Sequence, residues 1–243
     1  MKTVLITGAA GGIGSLIAKA YKEAGYLVVG IDRNKPNHNF LDKYYNTDIN
    51  RIVEDEVYFS EWKTKFHEEI KNLNVLINNA AIQILGTVDE LTHSDWHETF
   101  NVNLTAPFMF SKLFLDMLEK NNGCIINISS IHAKMTKPRF VAYATSKAAL
   151  VGLTQSLAVD LGGRVRVNSI SPAAIETEML QEGFKDNEEG YEQLKSFHPT
   201  KTIGKPEDVA ELSLFLSSDK AKFITGANFE IDGGISKRLH DPE

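Results

Sequence analysis

The sequence predicts an α/β fold, namely a single domain in which helices cover both faces of a doubly wound, parallel β-sheet. Short apolar runs rich in β-branched residues alternate with longer segments of helical periodicity, and this alternation is typical of repeated β-α-β units. The runs are almost continuously apolar, as expected for strands that helices cover on both faces. No linker, repeat or low-complexity tract interrupts the 243 residues, a length that one hydrophobic core of this class can fill.

The alternation places each element along the chain. Strands are predicted over 3–7, 27–31, 75–78, 123–129, 164–171 and 227–231. Helices are predicted over 13–24, 60–71, 94–119, 142–161 and 206–216. Right-handed crossovers between parallel strands then distribute the helices over the two faces of the sheet.

One segment breaks this rhythm. Residues 176–200 are polar, acidic and weakly periodic, and they lie between a predicted strand and Pro206. A long connection at the end of a parallel strand is a candidate lid over a binding site. An ordinary solvated helix and loop explains the same composition, so both interpretations stay open at this point.

Composition and charge exclude several classes of function. The formal net charge of −6 disfavours binding to nucleic acid or to anionic membranes, which both require clustered positive charge. Cys124 is the single cysteine, which excludes a disulfide framework and a cysteine-rich zinc site, and no metal is expected. A strand is predicted almost from the first residue, and no apolar run reaches the roughly 20 residues of a bilayer-spanning helix. We therefore expect a cytoplasmic protein.

A glycine-rich turn joins the first predicted strand to the first predicted helix. It contains Gly8, Gly12 and Gly14. Glycine permits positive φ and a close approach of the backbone to a pyrophosphate, while the helix N-terminus offers free N–H groups. A tight turn without a ligand explains an isolated glycine cluster equally well, but the strand-turn-helix context favours a phosphate cradle in a Rossmann-like domain.

Asp32 and Arg33 lie at the end of the second predicted strand. A carboxylate at this point accepts hydrogen bonds from both hydroxyls of an adenosine ribose and repels a 2′-phosphate. The guanidinium of Arg33 would instead pair with that phosphate. Because the carboxylate lies on the strand itself and the glycine turn holds no basic residue, the sequence favours NAD over NADP. An acidic residue in a surface turn is the alternative explanation for Asp32.

Tyr143 and Lys147 are four residues apart in a predicted helix, so their side chains project from one face. A nearby ammonium favours the phenolate and is expected to lower the pKa of Tyr143 from its ordinary value of about 10 toward neutrality, as a general acid/base requires. A surface tyrosine beside a solvated lysine is the alternative explanation of this spacing alone.

Further short patterns follow one another in a recognisable order. They are Asp48, Asn78-Asn79-Ala80, Asn103, Ser130, Asn168 with Pro172, and Asp232-Gly233-Gly234. Together with the glycine turn and the Tyr143–Lys147 pair, they resemble the short-chain dehydrogenase/reductase family in its compact single-domain form, over essentially the whole chain. The resemblance implies an oxidoreductase that transfers a hydride between NAD(H) and a secondary alcohol or ketone.

The resemblance implies a catalytic tetrad of Asn103, Ser130, Tyr143 and Lys147. In the family the serine precedes the tyrosine by 13 residues, which selects Ser130 over Ser129. Tyr143 would exchange a proton with the substrate oxygen, and Ser130 would hold that oxygen. Lys147 would lower the tyrosine pKa and bind the nicotinamide ribose, and Asn103 would steady a water of the proton relay.

The family also implies a set of cofactor contacts beyond Gly8, Asp32 and Arg33. These residues are Gly12, Ile13, Gly14, Asp48, Ile49, Asn79, Ala80, Tyr143, Lys147, Ile175 and Thr177. Residues 12–14 would contact the pyrophosphate. Residues 48 and 49 would flank the adenine, and residues 79 and 80 would lie beneath the adenosine ribose. Residues 175 and 177 would bind the cofactor on its carboxamide and pyrophosphate side. An ordinary loop between a strand and the lid is the alternative explanation for the last pair.

Polar residues surround the expected substrate pocket. They are Gln83, His132, Lys134, Lys137 and Arg139. This set favours a small polar substrate such as a sugar derivative or a hydroxy acid. A solvated loop explains the charged members as well, and a structural hydrogen bond explains His132.

Two helical segments carry more apolar residues than one sheet-facing stripe requires. They cover 101–119 and 143–161, and they indicate a homo-oligomer, either a dimer or a homotetramer, since the family is commonly dimeric or tetrameric through these helices. The C-terminal residues 237–243 would then be able to reach the active site of a neighbouring subunit, unless they form a disordered tail.

Two rival functions share parts of this pattern. An NADPH-dependent reductase of keto-acyl substrates would use the same tetrad. A comparison of the affinities for NAD and NADP, which depend on Asp32 and Arg33, distinguishes it from the NAD-dependent dehydrogenase. A non-catalytic nucleotide-sensing protein would keep the fold, but it has no need for all four residues of the tetrad.

Overall fold

Seven parallel strands form one sheet in the computed structural model, which describes residues 1–239 except for the side chain of Met179. They are β1 (Thr3–Thr7), β2 (Leu27–Asp32), β3 (Lys43–Asn46), β4 (Val75–Asn78), β5 (Cys124–Ile128), β6 (Arg166–Pro172) and β7 (Asn228–Ile231). Their order in the sheet is β3-β2-β1-β4-β5-β6-β7. The predicted doubly wound parallel class is therefore confirmed, and the strand order reverses between β1 and β4.

Helices flank this sheet on both sides. They are α1 (Gly12–Glu23), α2 (Ile49–Glu54), α3 (Glu56–Glu69), α4 (His93–Phe100), α5 (Ala106–Leu113), α6 (Leu115–Lys120), α7 (Val141–Leu161), α8 (Glu178–Gly183), α9 (Glu188–Phe197) and α10 (Pro206–Ser217). Short 3-10 turns occupy Ile131–Ala133, Asp219–Ala221 and Ile235–Lys237.

Alternate residues of the strands supply two hydrophobic layers. In β1, Leu5 packs on the side of α3, α5 and α7, whereas Val4 and Ile6 pack on the side of α1 and α10. This alternation follows from the two-residue period of a strand. Across the second layer, the Tyr21 hydroxyl of α1 donates to the Ser213 carbonyl of α10 at 2.9 Å, which satisfies a phenol that is otherwise wholly buried.

The predicted helical segment over 94–119 is confirmed in extent, but it is not one uniform α-helix. The structure divides it into α4, a π-helical turn over Asn101–Thr105, α5 and α6. Pro107 lies in the first turn of α5 and has no N–H to donate to the carbonyl of Asn103, four residues earlier. The chain accommodates this missing bond with a wider turn, in which the N–H of Ala106 donates to Asn101.

Four observed elements are absent from the sequence prediction, namely β3, α2, α8 and α9. The edge strand β3 has only four residues and pairs with β2 alone, so its apolar pattern is too short to detect. Asp55 ends α2 and caps α3 by accepting from the N–H of Tyr58, which moves the predicted helix start from 60 to Glu56. The proposed lid segment 176–200 contains α8 and α9.

None of the helices within residues 1–239 combines the length and the apolar character that crossing a bilayer requires.

Candidate active site

The glycine turn lies at the carboxyl end of β1, beside the point where the strand order reverses, which is where ligands bind in open α/β sheets. Gly8 has φ +67°, and a Cβ on Gly14 would lie 2.0 Å from the carbonyl oxygen of Gly8. No side chain caps the first turn of α1. The loop therefore offers unblocked backbone N–H groups at a concave surface that only glycine permits, and it fits a pyrophosphate.

Thr7 and Asn79 hold this turn against the end of β4. The side-chain amide of Asn79 donates to the carbonyls of Thr7 and Gly8, both at 3.0 Å. The Thr7 hydroxyl in turn accepts from the backbone N–H groups of Asn79 and Ala80, both at 3.0 Å. The amide of Asn79 is thus engaged in fixing the turn, and Thr7 is a positioning residue that the sequence analysis overlooked.

Asp32 ends β2 with a buried carboxylate. One carboxylate oxygen accepts from the N–H of Ala10 and the other from the N–H of Asn34, both at 2.9 Å. Each oxygen keeps a further lone pair for a hydroxyl group. Arg33 is exposed beside it, so carboxylate and guanidinium border the same space.

A cleft of about 540 Å³ unites most of the predicted cofactor residues. Those that line it are Gly8, Gly12, Ile13, Gly14, Asp32, Arg33, Asp48, Ile49, Asn79, Ala80 and Thr177. Three of the predicted cofactor residues do not line it, namely Tyr143, Lys147 and Ile175. The Ile175 side chain packs into the hydrophobic layer, and its backbone bridges to Gly204. Asp48 has a second task, since it caps α2 by accepting from the N–H of Asn50 at 2.9 Å.

Tyr143 and Lys147 lie on one face of α7, with the Lys147 Nζ 5.7 Å from the centre of the tyrosine ring. Lys147 is only 2% exposed, and its Nζ donates to the carbonyl of Ile128 at 2.8 Å. Burial lowers the pKa of Lys147 to about 7, because a low dielectric disfavours the ammonium. The amine is therefore poised to gain or lose a proton near neutral pH.

The expected lowering of the Tyr143 pKa by Lys147 is wrong for this structure. Burial raises the pKa of Tyr143, and only the hydrogen bond from Ser130 works in the opposite direction. The reason is that the same burial drives Lys147 toward its neutral form, which removes the charge that would favour a phenolate.

The two candidate serines have different environments. Ser129 donates from its hydroxyl to the backbone carbonyl of Lys147 at 2.9 Å, so it is a packing contact between β5 and α7. The Ser130 hydroxyl lies close enough to the Tyr143 phenol to lower the pKa of that phenol, and it accepts from the backbone N–H of His132 at 3.2 Å. The structure thus brings Ser130, and not Ser129, to the tyrosine.

Asn103 lies in the π-helical turn and is wholly buried. Its amide accepts from the Ile82 N–H at 2.9 Å and donates to the Ile82 carbonyl and to Ser146 Oγ, both at 3.0 Å. The side chain is therefore fully engaged with protein atoms. Pro107, four residues later, has no N–H to donate to the backbone carbonyl of Asn103.

His132 borders the tyrosine from the other side. Its ring stacks on Phe140 with centroids 4.4 Å apart and meets the Tyr143 ring edge-on at 5.9 Å. Burial and the neighbouring Lys137 lower the pKa of His132, so a neutral imidazole lines this wall of the site.

Two of the charged residues expected near the substrate are already paired. Lys134 contacts Glu230 at 3.0 Å, and Arg139 contacts Glu90 at 2.8 Å. Glu230 also accepts from Lys237 and Ser236, so the loop after Ser130 is tied to the C-terminal turn. These ion pairs join elements distant in sequence, which no local pattern reveals.

Sequence comparison matches this arrangement to known enzymes. A family model described as enoyl-(acyl carrier protein) reductase matches residues 8–236. The chain belongs to the short-chain dehydrogenase/reductase family. It is accordingly a hydride-transfer oxidoreductase that acts on CH–OH groups.

Several short-chain dehydrogenases and reductases align with almost the full chain. The 3-oxoacyl-[acyl-carrier-protein] reductase of Thermotoga maritima is 34% identical, over 96% of this chain and 97% of its own length. The D-threitol dehydrogenase of Mycolicibacterium smegmatis is 34% identical, over 97% and 93%. The NAD-dependent glycerol dehydrogenase of Listeria innocua is 33% identical, over 97% and 94%.

Solved structures of the family superpose closely. The ligand-free aldohexose dehydrogenase of Thermoplasma acidophilum has a TM-score of 0.92 at 29% identity, covering 100% of this chain and 96% of its own. A 4-hydroxyisoleucine dehydrogenase complexed with NADH has a TM-score of 0.89 at 33% identity, covering 98% of this chain and 100% of its own. The protein ElxO with NADP bound has a TM-score of 0.86 at 30% identity, covering 98% of this chain and 99% of its own.

Proposed function

We propose that this enzyme interconverts a secondary alcohol and a ketone on a small polar substrate, with NAD(H) as the hydride carrier. The observation that carries the proposal is the pair formed by Ser130 and Tyr143 next to the buried amine of Lys147. A phenol, a hydroxyl and an amine in one dry site can hold a substrate oxygen and move its proton.

Tyr143 and Ser130 act on the substrate oxygen. When an alcohol is oxidised, Tyr143 passes its own phenol proton toward the Lys147 amine as its oxygen takes the proton of the alcohol, while Ser130 holds the alcohol oxygen by a hydrogen bond. The backbone N–H of His132 donates to Ser130 Oγ, which leaves the serine proton free to point at an acceptor. In the reducing direction Tyr143 returns the proton to the oxygen.

Lys147 and Asn103 connect the tyrosine to solvent. The Lys147 amine binds a ribose hydroxyl of the nicotinamide half and accepts the proton that Tyr143 passes on, because its pKa of about 7 suits transfer at neutral pH. The backbone carbonyl of Asn103 holds the next water of the relay, whereas its side chain keeps Ile82 and Ser146 in place.

The bound dinucleotide supplies the hydride acceptor or donor of the reaction. The glycine turn would hold its pyrophosphate, as the unblocked start of α1 allows. Asp48, Ile49 and Thr177 line the cleft; the first two would border the adenine, and Thr177 would border the pyrophosphate.

The preference for NAD rests on Asp32. Its carboxylate is held in place by two backbone N–H groups, faces the cleft and repels a 2′-phosphate. A relative named NAD-dependent glycerol dehydrogenase and a neighbour complexed with NADH support this choice. The neighbour with NADP bound shows that the family also contains the other preference.

The substrate is proposed to be a polyol, a sugar derivative or a hydroxy acid. Relatives and neighbours named for threitol, glycerol and aldohexose support a polyhydroxylated compound. The pairing of Lys134 and Arg139 with carboxylates leaves less positive charge for an anionic substrate than the sequence alone indicates.

A keto-acyl reductase that uses NADPH is the second candidate. A relative of that name is 34% identical over nearly the whole chain, and the exposed Arg33 borders the cleft. Direct assay with both cofactors separates the two candidates.

The segment 176–200 is proposed to form the lid of a single catalytic domain. Thr177, Glu178 and Glu182 line the rim of the cleft. The C-terminus of α9 is held by Arg238, which donates to the carbonyl of Ser196 at 3.0 Å. Residues 240–243 of the predicted subunit-spanning tail lie outside the described residues.

We propose a homo-oligomer, with a tetramer as the expected form, assembled through α5 and α7. A stripe of uncharged residues is exposed along α7, at Val141, Thr145, Ala148, Gly152 and Val159. Val159 is 85% exposed. A helix whose opposite faces are both apolar is buried on both in the assembled state.

We also propose a cytoplasmic location and no partner beyond the substrate, cofactor and further copies of the chain. The net charge of −6 and the single, buried Cys124 support this assignment.

A substrate panel tests the proposed function. The enzyme is assayed with NAD and with NADP over polyols, aldoses, hydroxy acids and apolar secondary alcohols, and in reverse with a β-keto-acyl thioester. We expect turnover with NAD and a polyhydroxylated substrate. Turnover confined to NADPH with the thioester, or to apolar alcohols, would overturn the proposal.

A further inference from the structure

His93 and His97 form a close pair on the outer surface of α4, away from the residues assigned above. They are one helical turn apart, both exposed, and their rings lie 4.2 Å apart between centroids. Their Nε2 atoms are 3.1 Å apart. The two nitrogens thus point at the same space in front of the helix.

This separation matches that of two ligands on one transition-metal ion. Imidazole nitrogens bind such ions at roughly 2.0 to 2.1 Å, so two of them are roughly 2.9 Å apart at a right angle and roughly 3.4 Å apart at the tetrahedral angle. The observed 3.1 Å lies between these limits. In the metal-free protein one ring donates its Nε2 proton to the other. When an ion binds both Nε2 atoms, that proton would move to Nδ1 of its own ring.

The first turn of α4 is rigid enough to present the pair. Thr92 and Asp95 form a reciprocal capping box, in which the Thr92 hydroxyl accepts from the Asp95 N–H at 3.1 Å and the Asp95 carboxylate accepts from the Thr92 N–H at 2.9 Å. Since both histidines belong to this capped helix, little order has to be gained when a ligand binds.

Nearby side chains do not complete a larger site. Within the described part of the chain, no third histidine, cysteine, aspartate or glutamate joins the pair in a ligating group, and the Asp95 carboxylate is engaged in the cap. Water would occupy the other coordination positions, so the site selects ions that prefer imidazole, such as Ni²⁺, Cu²⁺ and Zn²⁺. Mg²⁺ and Ca²⁺ prefer oxygen ligands.

We propose that His93 and His97 form a bidentate surface site for a divalent transition-metal ion. The site is separate from the cofactor cleft, and it requires no change of the backbone of α4.

Isothermal titration of the untagged, full-length enzyme with NiCl₂ tests this site, after treatment with a chelator and buffer exchange. We expect one ion per chain, and a loss of affinity of at least tenfold in either His93→Ala or His97→Ala. Ser94→Ala, an exposed position on the same helix, is the matched control and keeps the affinity of the parent enzyme. Titration with MgCl₂ gives no binding heat.

Copper spectroscopy provides an independent readout. In the parent enzyme, the electron paramagnetic resonance spectrum of one equivalent of Cu²⁺ is expected to show two equatorial nitrogens, and each single variant is expected to show one. Absence of Ni²⁺ binding, or equal affinity in the parent and in both histidine variants with unchanged circular dichroism, would overturn the proposal.

Discussion

The side-chain amide of Asn103 and the backbone of Ile82 exchange two hydrogen bonds, from the Ile82 N–H to Oδ1 at 2.9 Å and from Nδ2 to the Ile82 carbonyl at 3.0 Å. Beyond the end of β4, the Asn103 amide therefore makes the two hydrogen bonds to the Ile82 backbone that a neighbouring strand would otherwise make. This contact fixes the segment that forms one wall of the cleft, and it ties that wall to the π-helical turn.

Replacing Asn103 is expected to destabilise the fold as well as the reaction. Asn103→Leu keeps the size but leaves the N–H and carbonyl of the half-buried Ile82 without their partner, so we expect the free energy of unfolding to fall by about 1 to 3 kcal/mol. Urea denaturation measures this change. Asn101→Leu is the control, because Asn101 bonds to the side chains of Asn50 and Glu54 near the surface, and an equal loss in both variants would contradict the account.

The glycine turn allows a test within a single loop. A Cβ at position 14 would lie 2.0 Å from the Gly8 carbonyl, whereas a Cβ at position 11 would lie 3.6 Å from the same atom. We expect Gly14→Ala to abolish NADH binding, measured by fluorescence titration, and Gly11→Ala to change the dissociation constant by less than about threefold. Equal binding by both variants would show that the turn is not the phosphate cradle.

Cofactor preference depends on Asp32 and Arg33. Asp32→Ala removes the charge that repels a 2′-phosphate, so the ratio of kcat/KM for NAD to that for NADP is expected to fall by about 100-fold, equivalent to about 2.7 kcal/mol. Arg33→Ala is expected to weaken NADP use and leave NAD use nearly unchanged. A ratio unaffected by Asp32→Ala would contradict the assignment of this carboxylate.

The buried amine of Lys147 gives stability a specific pH dependence. Its pKa is about 7 in the folded protein against an ordinary value of 10.5, so the unfolded chain holds the proton more tightly. The resulting cost to folding is fully present below pH 7 and fades as the pH rises toward 10.5.

Lys147→Met removes this cost. Relative to the parent, we expect a gain in the free energy of unfolding of up to about 5 kcal/mol at pH 6, reduced by roughly 1 to 3 kcal/mol for the Ile128 carbonyl left unpaired. The gain should shrink as the pH approaches 10. Urea denaturation of the variant and the parent at each pH measures the difference in the free energy of unfolding. A difference that does not vary with pH would contradict a neutral Lys147.

Much of this architecture is readable from local sequence patterns. The six predicted strands lie within two residues of observed ones, because a parallel strand buried on both faces is an apolar run that ends abruptly. The glycine turn and Asp32 are predicted for a related reason, since the carboxyl ends of such strands meet at one edge of the sheet. The other predicted cofactor contacts depend on the family resemblance.

Long-range contacts account for what the sequence did not reveal. The Asn79 amide is used by the backbone of Thr7 and Gly8, and Lys134 is paired with Glu230, 96 residues away. The pKa of Tyr143 depends on how deeply α7 is buried, which spacing alone does not report. The break at Pro107 was readable, because proline removes a helical donor.

The central claim is that Tyr143 moves the proton of the reaction and that the residues of the cleft bind the cofactor without the Tyr143 hydroxyl. The direct measurement compares the turnover number and the NADH dissociation constant of Tyr143→Phe with those of the parent enzyme, on the best substrate of the panel. We expect turnover to fall by at least about 1,000-fold, while the dissociation constant changes by less than about threefold. Turnover within about tenfold of the parent enzyme, with NADH binding intact, would contradict the account.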